Sequence, residues 1–178
     1  MKRTNRVTWL CLCLTIVFSI SRCKSDSNDQ RPGIVPGSGI TINGETLSLG
    51  DSKNTLNSVF GAPDIERDLG NLGHNFSYLS LQVSGFFSEP EQGSKVIALY
   101  LHPGFEGFTA GGVGIGSNES AVKAEFGEPV QGCFLKAWWF NDKGICFTLE
   151  NSKVSKIYLF NPHTESTSST SFFVEAGS

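Results

Sequence analysis

From Leu49 to Pro63 the chain reads LGDSKNTLNSVFGAP, with apolar residues at Leu56, Val59 and Phe60. That i, i+3, i+4 spacing gives a helix one apolar stripe. Asp51 stands at the expected start, where a side-chain oxygen can accept an orphan backbone N–H. Gly61 can take the left-handed conformation that closes a helix, and Pro63 prevents its resumption. The pattern returns 66 residues later without a gap, as IGSNESAVKAEFGEP from Ile115 to Pro129. Gly50, Phe60, Gly61 and Pro63 match Gly116, Phe126, Gly127 and Pro129; Leu49 and Leu56 correspond to Ile115 and Val122. Ser117 takes the place of Asp51 at the start, and Ala121, Val122 and Phe126 form the second stripe. Helices of about ten residues are marginal alone in water. Each needs a sheet to lie against.

Beyond Pro129 the period changes from that of a helix to that of a strand. CFLKAWWFNDKGICFTLENSKVSKIYLFNP predicts strand, turn at NDKG, strand, turn at ENSK, strand. With Phe140 opposite Ile145, Trp138 falls opposite Phe147, and these four share one side with Leu149. Val154, Ile157 and Leu159 join them as core. Trp139, Cys146, Thr148, Tyr158 and Phe160 then point to the other side, with Tyr100 as the counterpart in the earlier copy. That copy, FSYLSLQVSGFFSEPEQGSKVIALYLHP, ends in a similar strand, while its first turn is obscure. The expected fold is α+β: two tandem modules, each a short helical segment packed on a small antiparallel sheet. The first covers 39–103 and the second 104–162, followed by a Ser/Thr-rich tail over 163–178.

The N-terminus changes the picture of where the protein works. Lys2, Arg3 and Arg6 precede an apolar run of roughly 14 residues, the layout of an export signal over 1–22. A spanning helix needs about 20 such residues. Ser19-Ile20-Ser21 suits ordinary signal peptidase and hence secretion. ISRC, ending at Cys23, resembles the bacterial lipoprotein box, with Arg22 where a small residue is usual. Lipidation of Cys23 followed by a disordered spacer over 23–38 gives an anchored protein facing the periplasm or the cell surface. Removing Lys2, Arg3, Arg6 and Arg22 takes the formal charge from −3 to −7. An acidic chain without a basic cluster excludes nucleic acid and an electrostatic grip on anionic lipid. Membrane contact is left to the anchor.

The module, with its helix ended by Phe-Gly-x-Pro and its Trp138, Phe140, Gly144, Phe147, Val154 and Ile157, resembles a group of small exported bacterial proteins. The group includes the small lipoprotein of the outer-membrane β-barrel assembly machinery. The chain also resembles the secreted β-lactamase inhibitor protein, itself a tandem of two such modules. The resemblance covers about residues 39–162 and implies a helix-on-sheet framework, with Gly50, Phe60, Gly61, Pro63, Gly116, Phe126, Gly127 and Pro129 as structural positions. It implies no catalytic residue, since such a fold is shared without a shared function.

Candidate chemistry is sparse. GGVGIGSNES has Ser117 where a dinucleotide loop needs its third glycine, so a flexible joint is expected there. His74, His102 and His163 lack the spacing of a zinc site, and no nucleophile or paired-carboxylate motif is present; neither metal nor cofactor is expected. Cys133 lies six residues beyond Trp139, the position opposite Cys146. That is about 20 Å against a limit near 7 Å between Cα atoms of a disulfide, a gap only a chain reversal at Gly132 closes. The outward aromatics Trp139, Tyr158, Phe160 and Tyr100 form a candidate protein-binding patch, because such rings dominate interface hot spots. They serve equally as a joint between modules or as a surface covered by the tail. The expectation is a non-enzymatic envelope lipoprotein that binds or scaffolds another envelope or extracellular protein. The alternative is a secreted inhibitor of an enzyme.

Overall fold

A computed structural model describes residues 33–70, 73–88, 93–131 and 137–162. Cys23, Cys133, the stretch read as an export signal (1–22) and the tail (163–178) lie outside the described residues. The fold mixes helix with a majority of strand. One antiparallel sheet contains β1 (Gly33–Val35), β2 (Gly39–Ile42) and β3 (Glu45–Ser48). The other contains β4 (Ile65–Asp68), β5 (His74–Tyr78), β6 (Val83–Phe87), β7 (Val96–Leu101), β8 (Val130–Gln131), β9 (Ala137–Phe140), β10 (Ile145–Glu150) and β11 (Lys153–Phe160). Its order is β4-β5-β6-β7-β11-β10-β9-β8, antiparallel throughout, so the last strand of each run meets at the centre. Helices α1 (Lys53–Phe60) and α2 (Glu119–Phe126) precede the two runs.

The helices and the three-stranded sheet share one core with a single face of the large sheet. Leu56, Val122 and Phe126 from the helices join Ile34, Ile40, Ile42 and Leu47 from the small sheet. They meet Phe76, Phe87, Leu99, Leu101, Phe140, Ile145, Phe147, Ile157 and Leu159. The expected register holds: Phe140 pairs with Ile145, Trp138 with Phe147, and Cys146 with both Trp139 and Tyr158. Phe126 contacts Phe140 and Phe147 at ring distances of 5.3 and 5.2 Å, which anchors α2 on its sheet. Ala121 is exposed, so the apolar contact of α2 narrows to Val122 and Phe126.

Both helix starts fall one residue later than the sequence suggests. Ser52, not Asp51, caps α1 by accepting the Thr55 N–H at 3.1 Å. Asp51 instead accepts the Ser48 N–H at 2.7 Å. Ser117 likewise accepts the Gly114 N–H at 3.0 Å, and Asn118 is the boundary residue of α2. These oxygens fold the entering loop back, and the last strand of each run completes the clasp. Gly50 N–H donates to Val96 O at 2.7 Å and Val96 N–H to Asp51 O at 2.8 Å. Gly116 N–H donates to Val154 O at 2.7 Å and Val154 N–H to Ser117 O at 2.9 Å. At the far ends Gly61 and Gly127 have φ of 79° and 87°, and each donates its N–H four residues back. Their ψ values are extended rather than left-handed helical, so the chain leaves straight toward β4 and β8.

Two boundaries differ from expectation. The spacer expected over 23–38 stops short, because Gly33–Val35 is β1 and Ile34 N–H donates to Phe108 O at 2.9 Å. The glycine-rich joint is tied down: Glu125 on α2 accepts from Thr109 Oγ1 at 2.6 Å and from Gly111 N–H at 3.1 Å. The small sheet closes against the turn at Asn141–Lys143. There Gly144 has φ 65° and ψ 36°, and a Cβ would stand 2.6 Å from Gly37 Cα and strike Phe160 O.

Candidate protein-binding face

The second face of the large sheet carries one row that crosses all eight strands in register. Ile65 pairs with Ser77, Ser77 with Ser84, Ser84 with Tyr100, and Tyr100 with Tyr158. Tyr158 then pairs with Cys146, Cys146 with Trp139, and Trp139 with Val130. Direct cross-strand partners point the same way, so these eight side chains line one band. Phe86, Ala98 and Phe160 form a parallel band one step along the strands. The rings touch: Tyr100 meets Tyr158 edge-on at 4.9 Å, Phe86 meets Tyr100 at 5.4 Å, and Trp139 meets Phe160 at 5.7 Å.

Trp139, Tyr158, Phe160 and Tyr100 are thus brought together, on the side opposite the helices. Accessibility is where expectation and structure part. Tyr100 is 7% exposed and Tyr158 9%, while Trp139 and Phe160 are half-buried and Val130 is 64% exposed. The more accessible part of this face is therefore the Trp139–Phe160–Val130 end, with the two tyrosines buried beside it on the neighbouring strands. Burial pushes the Tyr100 hydroxyl well above the ordinary phenol range, and raises Tyr158 to a lesser degree. Burial also pushes the Cys146 thiol far up, which makes it inert rather than nucleophilic. Cys146 is a free thiol in the described structure.

The other half of the face is polar. Ser84 Oγ lies 2.7 Å from His102 Nε2, a contact that sequence reasoning missed because the pair is 18 residues apart. Burial, followed by the Lys156 charge, holds the His102 pKa below its ordinary value, so the ring is neutral. A neutral imidazole beside a hydroxyl is one part of a nucleophilic pair, but the charge acting on this ring is a lysine's, not an orienting carboxylate's. His74 sits on the other side of the sheet. Its Nε2 is 2.7 Å from Glu66 Oε1, which Lys53 also engages. Burial raises the Glu66 pKa, and the hydrogen bonds and charges of Lys53 and then His74 outweigh it, leaving the carboxyl below its ordinary value. This trio staples α1 to β4 and β5. His163 lies outside the described residues. Among the described residues there is no group of three or more potential metal ligands.

The eight positions named as framework fall where the chain turns or packs. Gly50, Gly61, Gly116 and Gly127 all have positive φ, Phe60 and Phe126 contact the core, and Pro63 and Pro129 follow the helix ends. Comparison with protein-family models, with curated proteins and with solved structures finds no match.

Proposed function

We propose that this chain is a non-enzymatic, exported envelope protein, tethered through lipidated Cys23, that binds another protein with the Trp139 end of the sheet's second face. The observation that carries this reading is the in-register apolar row from Val130 through Trp139 and Cys146 to Tyr158 and Tyr100. Core packing against the helices does not require it, because it faces away from them. Rings with one accessible flank and one packed flank are the kind of anchors that dominate protein interfaces. The neutral Ser84–His102 pair, with Lys156 as its charged neighbour, supports binding over catalysis.

The framework beneath this face is two copies of one helix-on-sheet module. Supporting that reading, α1 and α2 each have eight residues and lie 66 positions apart. The bonds of Gly50 and Val96 match those of Gly116 and Val154 in donor, acceptor and length. The strand order runs inward from both edges to the β7–β11 seam.

A photo-cross-linker placed at residue 139 in cells, with residue 79 as an exposed control on another edge, tests the binding face. Cross-links to one envelope protein from 139, absent from 79, are expected. Equal recovery from both positions refutes the face. Acyl labelling lost in a Cys23→Ala variant supports the tether; an unlabelled parent protein found in the medium favours a secreted inhibitor using the same face.

A further inference from the structure

The second face differs from the rest of the molecule in charge. The chain is acidic, with a formal charge of −3. Its carboxylates are engaged elsewhere: Glu66 with Lys53 and His74, Glu119 and Glu128 with Lys123, and Glu125 with Thr109. On the second face the described strands bring Arg67 on β4 and Lys156 on β11, which pair directly with Asn75 and Thr148. A carboxylate appears there only at the β10–β11 turn, where Glu150 stands directly opposite Lys153. The face is thus a basic strip on an acidic protein, which favours an acidic partner.

Lys156 is the cation closest to the apolar end. It is half-buried, and among the described residues its ammonium makes no ion pair or hydrogen bond. Across the seam, one residue beyond the Ile157–Leu101 pair, it meets His102, which Ser84 holds at 2.7 Å. That ring is kept neutral by burial and then by the lysine itself, so it offers no counter-charge. A half-buried cation without an anion bears a desolvation cost that an incoming carboxylate offsets. Trp139 lies two strands away and one two-residue step along them, roughly 12 Å at about 4.8 Å per strand and 3.4 Å per residue. An extended segment covers that distance in three to four residues, at about 3.3 Å each.

We propose that the partner of this face is an acidic protein segment that sets a carboxylate on Lys156 beside the Ser84–His102 pair and an apolar or aromatic side chain three to four residues away on Trp139. The inference rests on the binding role proposed above and adds the partner's chemistry to it.

The test uses the chain from Lys24 to Ser178 and a library of displayed random peptides of about twelve residues, roughly 40 Å when extended. Peptides selected on the parent should carry Asp or Glu three to four residues from Trp, Phe or Leu. Selection on Lys156→Glu should replace the acid with Lys or Arg. For one selected peptide, Lys156→Gln should weaken binding about three-fold or more at low salt, Lys156→Arg should hold it, and added salt should shrink the difference. Changing the peptide's acid to its amide should cost the same and leaves the protein untouched, so it decides alone if Lys156 variants do not fold. Peptides that need Trp139, by loss of binding in Trp139→Ala, but are indifferent to Lys156 and carry no acid overturn the acidic partner and leave the binding face standing. A selection yielding no peptide that depends on Trp139 overturns both. Single-stranded DNA or phosphatidylglycerol vesicles that bind the parent through Lys156 while selected peptides lack an acid also overturn the proposal, by making phosphate the anion.

Discussion

Gly85 sits in the middle of β6 directly opposite Phe76, and the ring of Phe76 lies over its Cα. A Cβ at this position would stand 2.6 Å from the Ala98 carbonyl oxygen of β7 and would strike the tip of the Phe76 ring. Phe76 cannot easily retreat, because it is fully buried and packs on Phe87 with ring centroids 4.6 Å apart. Two effects of Gly85→Ala oppose each other. Alanine loses less chain entropy than glycine on entering a strand, which favours the variant by about 0.5–1 kcal/mol. Overpacking against a ring and a backbone oxygen costs about 1–3 kcal/mol. The net expectation is a loss of about 1–2 kcal/mol, since neither neighbour is the free end of a flexible side chain. Urea unfolding followed by tryptophan fluorescence should show a lower midpoint with an unchanged slope. In a Phe76→Leu background one of the two clashes is relieved, so the cost of Gly85→Ala should fall by at least about 0.5 kcal/mol, the coupling expected of residues in contact. A neutral or stabilising Gly85→Ala, or strict additivity with Phe76→Leu, would refute the packing described for this strand pair.

Four further outcomes follow from burial and charge. Phe147→Ala, which removes a fully buried ring packed on Phe126 and Phe140, should cost about 3–5 kcal/mol in the same urea assay. Glu66 has a folded-state pKa below its ordinary 4.5, so the stability it contributes is present above that pH and is lost as pH falls through the lowered value; Glu66→Gln should flatten the decline seen below about pH 4.5. His102 is held neutral by burial and by Lys156, so stability should fall as pH drops below its ordinary 6.5, and His102→Asn should remove that segment of the profile. Cys146 should stay unmodified by a thiol reagent in native protein lacking Cys23 and Cys133, and react fully in denaturant.

Those parts of the fold that are punctuated in the sequence are the parts it discloses. Both helices end where Gly61-Ala-Pro63 and Gly127-Glu-Pro129 place them, because positive φ at the glycine and a ring at the proline leave the backbone few options. The pairing of β9 with β10 is equally legible, since the short turn between Phe140 and Ile145 fixes which residues face each other. Helix caps proved less legible: Asp51 and Ser117 satisfy amides of the entering loop, and nothing local distinguishes that from capping the helix. The small sheet was missed although Asn43-Gly44, with φ of 53° and 85°, is a hairpin signal flanked by Ile40, Ile42 and Leu47. The polar half of the sheet's second face was invisible for another reason. Ser77, Ser84 and His102 meet only through strand pairing across the sheet, and no spacing along the chain encodes it.

The two faces of the large sheet answer to different demands, and their residues record it. On the core side the row that contains Phe76, Gly85, Leu99, Leu159, Ile145 and Phe140 is apolar from one flank of the central seam to the other, with glycine only where a ring needs the room. Both halves must bury a helix, so both are held to the same chemistry. The neighbouring row on the second face has Tyr100 and Tyr158 at the seam, but Ser84 and Ser77 on one flank and Cys146 and Trp139 on the other. Neither of the two described helices packs on that row, and the backbone pairing is equally regular on both sides. The apolar flank is therefore not needed to hold the sheet together. On the binding role proposed for this face, its rings are there for a protein partner at the Trp139 end.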